Sequence, residues 1–567
     1  MYILSYKLTK ITRVFALFFI IFEINIYSKM LLVLIIIKKV KDMKKKNMKE
    51  TFTQSVFVLM VSQALIKILG LLYKLYLTNR NGYGDEGNAI ANGGYQIFAL
   101  ILSITAIGIP NAIAKLVAER SAVGDHKGAY KIFKTALIIF STIGIIGSYI
   151  LIYFAKDLAT NYLHIKEAEL SIIALSPSIF LVSVISVFKG YFIGRESIKN
   201  TAGAQAMDQI TKTISTIVII ELSVYFMKEN NTEIMAACSS LATTIGNIAE
   251  FSYLYKMYRK NLQEIKLEII NSVNTSKIRI INIVKEIMII AVPISLTAII
   301  STISKNIDSI TIVNGLKNLI GYEEAKRQYG ILSGKVETLV NFPLSFNMAI
   351  ATALLPSIAA TNGNIKLKEG RINQSFLLGM AIAIPVTLIF YTYADEILKL
   401  LFPNASSGGE ILKISSISII FVTIEQITNT ILNGMGKTTV PIKSIIVGVI
   451  VKIVLNKILV PRIELPIGGT NGAAIATVAC HIIASFISLI YLIRYTKIKI
   501  YMKDTMKVVV ISIIFVTFSR IINNFIGNSI NVKINLILSV FSGCIAYLLM
   551  LKFTKILPKK PVKARKS

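Results

Sequence analysis

Tryptophan is absent from the 567 residues, and only 16% of them are charged. The second shortage decides more. An average soluble domain is about one-quarter charged, and a chain with 54% hydrophobic residues and a mean hydropathy of +0.66 could not cover its own surface in water. That excludes the three or four soluble domains its length would otherwise suggest. Acids are scarce as well, 30 Asp+Glu against 62 Lys+Arg, for a formal charge of +32. In a soluble protein such an excess points to nucleic acid. Here the basic residues gather in short loops between apolar segments, so their partner is the anionic membrane face and not nucleic acid. The three cysteines, Cys238, Cys480 and Cys544, lie in apolar stretches without a CxxC or Cys/His cluster, which excludes a disulfide framework and a zinc site. No GxSxG, HExxH, P-loop or paired-carboxylate motif is present. His126 and His164 fall in loops and His481 stands alone near a helix start, so it reads as structural. No enzyme, metal or cofactor is expected.

What remains is long apolar runs. A membrane-spanning helix needs about 20 mostly apolar residues. Such runs lie near 52–77, 89–114, 133–155, 171–194, 209–227, 234–256, 283–304, 336–360, 374–394, 408–434, 441–460, 472–495, 506–527 and 534–553. They predict an all-α polytopic membrane protein with about fourteen transmembrane helices. Taking the Lys-rich stretch 38–49 as cytoplasmic and alternating sides puts roughly 40 Lys+Arg inside and about 14 outside, as the positive-inside rule requires. Both termini are then cytoplasmic, in a bacterial plasma membrane. Residues 1–42 fit poorly: their apolar runs are short, interrupted by Glu23, Asn25 and Lys29, and lack a small-residue cleavage motif. They read as a start assigned too early, with Met43 or Met48 the true beginning, or as a peripheral helix.

The halves repeat. Gly108-Ile109-Pro110 followed by Gly124 recurs as Leu354-Leu355-Pro356 followed by Gly370; Gly194-Arg195 recurs as Gly436-Lys437, and Ala237-Cys238 as Ala479-Cys480. An offset of six helices leaves both copies in the same orientation, as parallel repeats with a site between them near the membrane midplane. The expected division is an N-terminal extension (1–50), an N-lobe of helices 1–6 (51–260), a C-lobe of helices 7–12 (261–500), two further helices (501–555) and a basic cytoplasmic tail (556–567). Prolines at 110, 177, 293, 343, 356, 385 and 441 sit in the apolar runs, where each would remove a backbone hydrogen bond and permit a kink. Pro110 and Pro356, at corresponding places in the repeat, are the candidate hinges.

Charges within membrane helices are costly and by default face an internal cavity. Gln63, Lys67 and Lys74 share one face of the first helix, which has no carboxylate. Lys305 and Asp308, three apart in the seventh, could pair with each other or cap the interface. Lys335 and Glu337 open the eighth helix. Lys452, in the middle of the eleventh, has no acid near it in sequence, and Glu425, Gln426 and Glu221 read as satisfied by neighbouring helices or the interface. The candidate cavity residues are therefore Gln63, Lys67, Lys74, Lys305, Asp308, Lys335 and Lys452. The deepest charges are mainly cationic, which suits an anion and above all a phosphate.

The segments Leu65–Leu77 (LIKILGLLYKLYL), Gly93–Glu119 (GGYQIFALILSITAIGIPNAIAKLVAE) and Tyr329–Ala359 (YGILSGKVETLVNFPLSFNMAIATALLPSIA) resemble the stage V sporulation protein B / YtgP-type polysaccharide-biosynthesis transporters. These belong to the MOP flippase superfamily, with the MurJ lipid II flippases as relatives. The similarity covers about 50–555. It implies two pseudo-symmetric six-helix lobes, MATE-like and MurJ-like, working by alternating access, with the two C-terminal helices as a groove for a lipid tail. It implies as cargo an anionic prenyl-pyrophosphate-linked saccharide, lipid II or another cell-wall or polysaccharide precursor, moved from the inner to the outer leaflet. Membrane lipids, and cell-wall synthesis enzymes, are the partners it suggests. Lys67 matches a cationic residue of the family's first helix. Where MurJ itself tends to carry an Arg-Asp pair this chain has Tyr73-Lys74, so no mechanism resting on that pair carries over and the glycan stays open. Two other readings remain: a multidrug or cation antiporter of the same superfamily, against which the first helix's lack of carboxylates argues, and a non-transporting scaffold for envelope or spore synthesis.

Overall fold

The computed structural model describes residues 52–105, 108–195, 197–272, 279–347, 365–497, 502–527 and 531–554. The question of an early start at 1–42, the basic tail and Pro356 lie outside them. The described residues are almost wholly helical, with no strand among them. Nine helices among them are long and apolar enough to cross a membrane. They fall into two units, one running from Val56 to Ile500 and one containing the last two helices.

In the larger unit the helices are α1 (Phe52–Asn79), α2 (Gly84–Thr105), α3 (Ile109–Ala122), α4 (His126–Tyr153), α5 (Ala168–Gly194), α6 (Ile198–Met227), α7 (Thr232–Lys260) and the short α8 (Leu262–Ile270). There follow α9 (Ile280–Ile320) and α10 (Tyr322–Gly330), which continues through a π-helical turn (Ile331–Val336) into helix at 337–347. The remainder are α11 (Ile365–Thr392), α12 (Ala394–Leu401), α13 (Gly409–Ser416), α14 (Ser418–Gly434), α15 (Thr439–Leu459) and α16 (Gly469–Thr496). Where its residues are described, each expected apolar run lands on helix, but the helices overrun the runs; the run 336–360 is described only to 347. At 41 residues α9 is about 60 Å long, well beyond the roughly 30 Å hydrocarbon core. Hydropathy marks only the lipid-facing slab; the backbone stays helical through Lys- and Asn-bearing ends that reach headgroups and water.

Loops assigned to one side by the charge alternation do touch one another. At one end Asn79 donates to the Leu401 carbonyl at 2.8 Å, Asn404 donates to the Asn79 carbonyl at 2.7 Å, and Tyr322 donates to Glu167 at 2.7 Å. At the other end Arg195 grips Glu268 with both arms of its guanidinium, and the Lys127 amide donates to Ser272. The first set is called the outer end below, following the loop-charge assignment. Exposed Tyr149, Tyr153, Tyr225 and Phe226 cluster at the ends of α4 and α6 on that side, where aromatic rings favour the membrane–water interface.

The prolines divide into two kinds. Pro177, Pro293 and Pro385 are inside α5, α9 and α11. Pro110 is not in a helix interior: it stands in the first turn of α3, and Pro441 is likewise in the first turn of α15. There a missing N–H takes no bond from the helix and the fixed φ suits its start. The apolar run at 89–114 is thus two helices, and its Gly108 has a packing reason. Its N–H donates to Ser295 at 3.2 Å, and a Cβ there would collide with the Ala291 carbonyl on α9.

A closer approach occurs where α10 crosses α2. A Cβ on Gly330 would fall on the Asp85 carbonyl oxygen, and one on Gly334 would strike the Asn88 side chain at 2.5 Å. Neither neighbour is a flexible chain end, so Gly330→Ala must push α10 off α2. We expect it to lower the thermal midpoint of the purified protein and to reduce the folded fraction by size exclusion; an unchanged midpoint would mean the crossing is not tightly packed.

The second unit contains the hairpin of α17 (Met502–Ile526) and α18 (Val532–Phe553). Ser519 donates to the Ser539 carbonyl at 3.0 Å, Asn535 donates to the Asn523 and Gly527 carbonyls, and the Phe515 and Tyr547 rings meet tilted at 44°, 5.6 Å between centroids.

Candidate functional site

Three clusters of charge organise the larger unit. The first is a cavity of about 250 Å³ among α1, α2, α5, α6 and α7, with Thr338 also in its lining. Lys74 and Lys212 line it with Tyr73, Tyr83, Tyr95, Asn92 and Gln209, and no carboxylate is among its lining residues. The Lys74 ammonium, 8% exposed, donates to Asn92 Oδ1 at 3.3 Å, and Asn92 in turn donates to Ser333 Oγ of the π-helical turn at 3.2 Å. Lys212 lies over the faces of Tyr73, at 5.3 Å from the centroid, and Tyr95, at 5.9 Å. Ring faces hold an ammonium without neutralising it. The two lysines are near enough to repel each other, and an anion between them would remove that repulsion while taking charge-assisted hydrogen bonds from both.

Sequence reading found Lys74 and missed Lys212. The signal was available: Asp208 and Lys212 stand 244 residues before Lys452 and Asn456, inside the offset of the internal repeat. Asp208 itself, one turn from Lys212, belongs to a neighbouring group in which Lys189 pairs with buried Glu250 at 2.7 Å. Lys67, on the same helix as Lys74, is exposed, as is Lys305 on α9, and each feels the other's charge. Helices from both halves therefore bring cations towards one space. The Gln63 side chain lies outside the described residues.

The second cluster joins α9 to α15. Lys452 donates to Asp308 Oδ2 at 2.6 Å and to the Ser304 carbonyl at 2.8 Å. The acid that Lys452 lacks nearby in sequence is thus supplied by another helix. Asp308 does not pair with Lys305: Asp308 is buried and Lys305 exposed, so the three-residue spacing puts them in different surroundings. Glu337 interacts electrostatically with Lys305, Lys452 and Lys74, which makes it the carboxylate where the two clusters meet. His481 is not near a helix start but well inside α16, where Nδ1 meets Glu425 at 2.8 Å.

The third cluster clasps the two halves at the outer end. Lys335, 0% exposed, donates to Asp85 at 2.9 Å and to the carbonyls of Ala405 and Ser407 at 2.6 and 2.8 Å. Its three N–H bonds are spent on protein, so in this arrangement it offers no donor to a ligand. Lys326 beside it contacts Glu86, Glu167 and Glu323 at 2.8, 3.2 and 2.7 Å. Burial raises the Glu167 carboxyl, but hydrogen bonds from Tyr322 and its own backbone, together with Lys326, outweigh that and hold it below the usual carboxylate range. No group of three or more His, Cys, Asp and Glu that could hold a metal ion occurs among the described residues.

The chain has recognisable relatives. The sequence model of the polysaccharide biosynthesis protein family matches residues 52–362, and the MatE model matches 334–458. Stage V sporulation protein B of Bacillus subtilis (strain 168) is 23% identical over 515 residues, covering 90% of this chain and 97% of that protein. Lipid II flippase MurJ of the same organism is 24% identical, over 85% of this chain and 90% of its own. Among solved structures, lipid II flippase MurJ in an inward closed conformation superposes with a TM-score of 0.65 at 16% identity, over 88% of this chain and 99% of that one. An inward-facing multidrug-resistance MATE transporter of the MOP superfamily gives 0.60 at 14% identity, over 77% and 98%. The chain is a multi-pass membrane protein with the MOP-superfamily fold, and it belongs to the polysaccharide biosynthesis protein family.

Proposed function

We propose that the chain is a transporter that carries an anionic, prenyl-diphosphate-linked saccharide from the inner to the outer leaflet of the bacterial plasma membrane, and that it is not a catalyst. The observation that carries this reading is the carboxylate-free cavity holding Lys74 and Lys212 beneath a tyrosine wall. A diphosphate cannot cross hydrocarbon unassisted, and one buried and one half-buried ammonium, Lys74 and Lys212, replace part of its hydration. The tyrosine hydroxyls and the amides of Asn92 and Gln209 supply the neutral hydrogen-bonding groups that a sugar needs. Lys67 and Lys305, converging from the two halves, serve as the entry cations. The prenyl chain stays in lipid, attended by the α17–α18 hairpin, and the outer-end clasp keeps the cavity shut on that side while cargo loads from within. Hinge motion about Pro110, at the α2–α3 junction, and about Pro356 is part of the same proposal. With the cytoplasm negative, outward movement of an anion is favoured by about 2.3 kcal/mol per charge per 100 mV.

The related names support lipid II or a kindred precursor as the cargo. The antiporter reading fits less well, since a cationic drug would meet lysines and no acid in the cavity. The test is lipid II exposed at the surface of bacteria depleted of their own flippases and expressing this chain or Lys67→Ala. Exposure restored by the wild type and lost in the variant at equal expression is the expected outcome. Equal rescue by both would remove Lys67 from the path, and rescue by neither would remove lipid II as the cargo.

A further inference from the structure

The second half carries a cation of its own in an oxygen cage. The Lys452 ammonium, 1% exposed, reaches only oxygens: Asp308 Oδ2 at 2.6 Å, the Ser304 carbonyl at 2.8 Å and Ser304 Oγ at 3.4 Å. Asp308 Oδ1 accepts from Asn456 Nδ2 at 3.1 Å, and the same amide donates to Thr311 Oγ1 at 2.9 Å. Ser304, Asp308 and Thr311 are spaced by four and three along α9, and Lys452 and Asn456 by four along α15, so two helix faces build the whole cage. Asn456 is fully buried, and its Oδ1 has no hydrogen-bond partner among the described residues. A buried oxygen without a partner thus stands beside the cage, on a residue whose amide nitrogen faces into it.

This is what a small hard cation requires: one carboxylate for charge, with carbonyl, hydroxyl and amide oxygens to replace water. The amide orientation of Asn456 follows from its neighbours, because while Asp308 Oδ1 and Thr311 Oγ1 accept, Nδ2 must face them. A metal ion in place of the ammonium would reverse that requirement and turn Oδ1 inward as a ligand. The other charged groups near the cage are accounted for: Glu425 is paired with His481, and Glu337 also faces Lys305 and Lys74. Asp308 and Lys452 neutralise each other, so no further cation is needed for charge balance there.

We propose that this cage is a monovalent-cation site permanently filled by the chain's own ammonium, so that the second half binds no exchangeable alkali ion, and that shortening Lys452 opens the cage to Na+. The proposal does not depend on the cargo. It implies that no sodium gradient is used through α9 and α15.

The test uses the full chain purified in nanodiscs, with 22Na+ binding and thermal unfolding in sodium against choline at equal ionic strength. The wild type should bind no sodium through this site and unfold at the same temperature in both salts. Lys452→Ala should unfold earlier in choline, recover in sodium as the ion binds the native state, and show saturable 22Na+ binding that Asp308→Asn abolishes. Lys452→Met, which keeps the stem and removes the charge, is the second variant should the first not fold. Sodium binding by the wild type that Asp308→Asn removes would overturn the proposal. So would a folded Lys452→Ala indifferent to sodium, or failure of both variants to fold in sodium as in choline.

Discussion

Lys74→Ala combined with Lys212→Ala is expected to abolish transport while leaving a folded, membrane-inserted protein. Neither ammonium holds the fold together. Lys74 donates a single long hydrogen bond, to Asn92, and Lys212 lies over two rings, so their removal relieves mutual repulsion inside the membrane more than it breaks structure. A phosphate bound between them would lose two charge-assisted hydrogen bonds, each worth about 1.5–3 kcal/mol, and hence roughly two to four orders of magnitude in affinity. Each single variant should lose part of this, and Lys74→Arg should retain activity, since an arginine still offers charge and donors to phosphate. The measurement is initial flipping rate in proteoliposomes at matched protein density, with the thermal midpoint as control. A double variant that flips at the wild-type rate would exclude this cavity from the cargo's path. A double variant that fails to fold would show that the lysines are structural, contrary to the hydrogen bonds seen here.

The fold was legible because its signal is long and redundant. Twenty-residue apolar runs need no partner to be recognised, and loop charge checks their number independently. The lengths were not legible: α9 continues past its apolar run through Lys305, Asn306 and Asp308, because a helix buried among others tolerates polar residues that lipid would refuse. The site was half legible. Lys74 and Lys452 stand out as charges deep in apolar sequence, yet their surroundings are set by residues far away in the chain. Lys452 meets Asp308 across 144 positions and Lys335 meets Asp85 across 250. Sequence spacing sees only partners on the same helix, and so it could offer Asp308 only Lys305 as a partner, or the interface. Lys212 escaped because it lies mid-way along α6 but only three residues into the apolar run 209–227, where a lysine reads as an interface charge. Pro110 misled for a related reason: hydropathy runs unbroken through 89–114, while the backbone ends one helix at Thr105 and begins another at Ile109.

Breaking the outer-end clasp should have the largest effect on conformation. Lys335→Ala leaves the Asp85 carboxylate, 7% exposed, without its ammonium, and takes a donor from the carbonyls of Ala405 and Ser407. Removing one partner of a buried pair costs about 3–5 kcal/mol, because the remaining charge stays desolvated. The molecule escapes that cost by letting water in, which here means parting α2 from α10 and the 402–408 loop. If the two halves exchange between closed and open outer ends, such an energy shifts the ratio by about two to four orders of magnitude towards open. Ser333, 7% exposed beneath the clasp, reports on this. With the three native cysteines replaced, Ser333→Cys should react slowly with a membrane-impermeant maleimide in the otherwise native chain and much faster beside Lys335→Ala. Adding Asp85→Asn should return labelling towards the native rate, because a neutral amide in that place needs no counter-charge. Restoration by Asp85→Asn is what separates a clasp from mere loosening. Equal labelling with and without Lys335→Ala would mean that packing at Gly330 and Gly334, rather than this ion pair, holds the outer end shut.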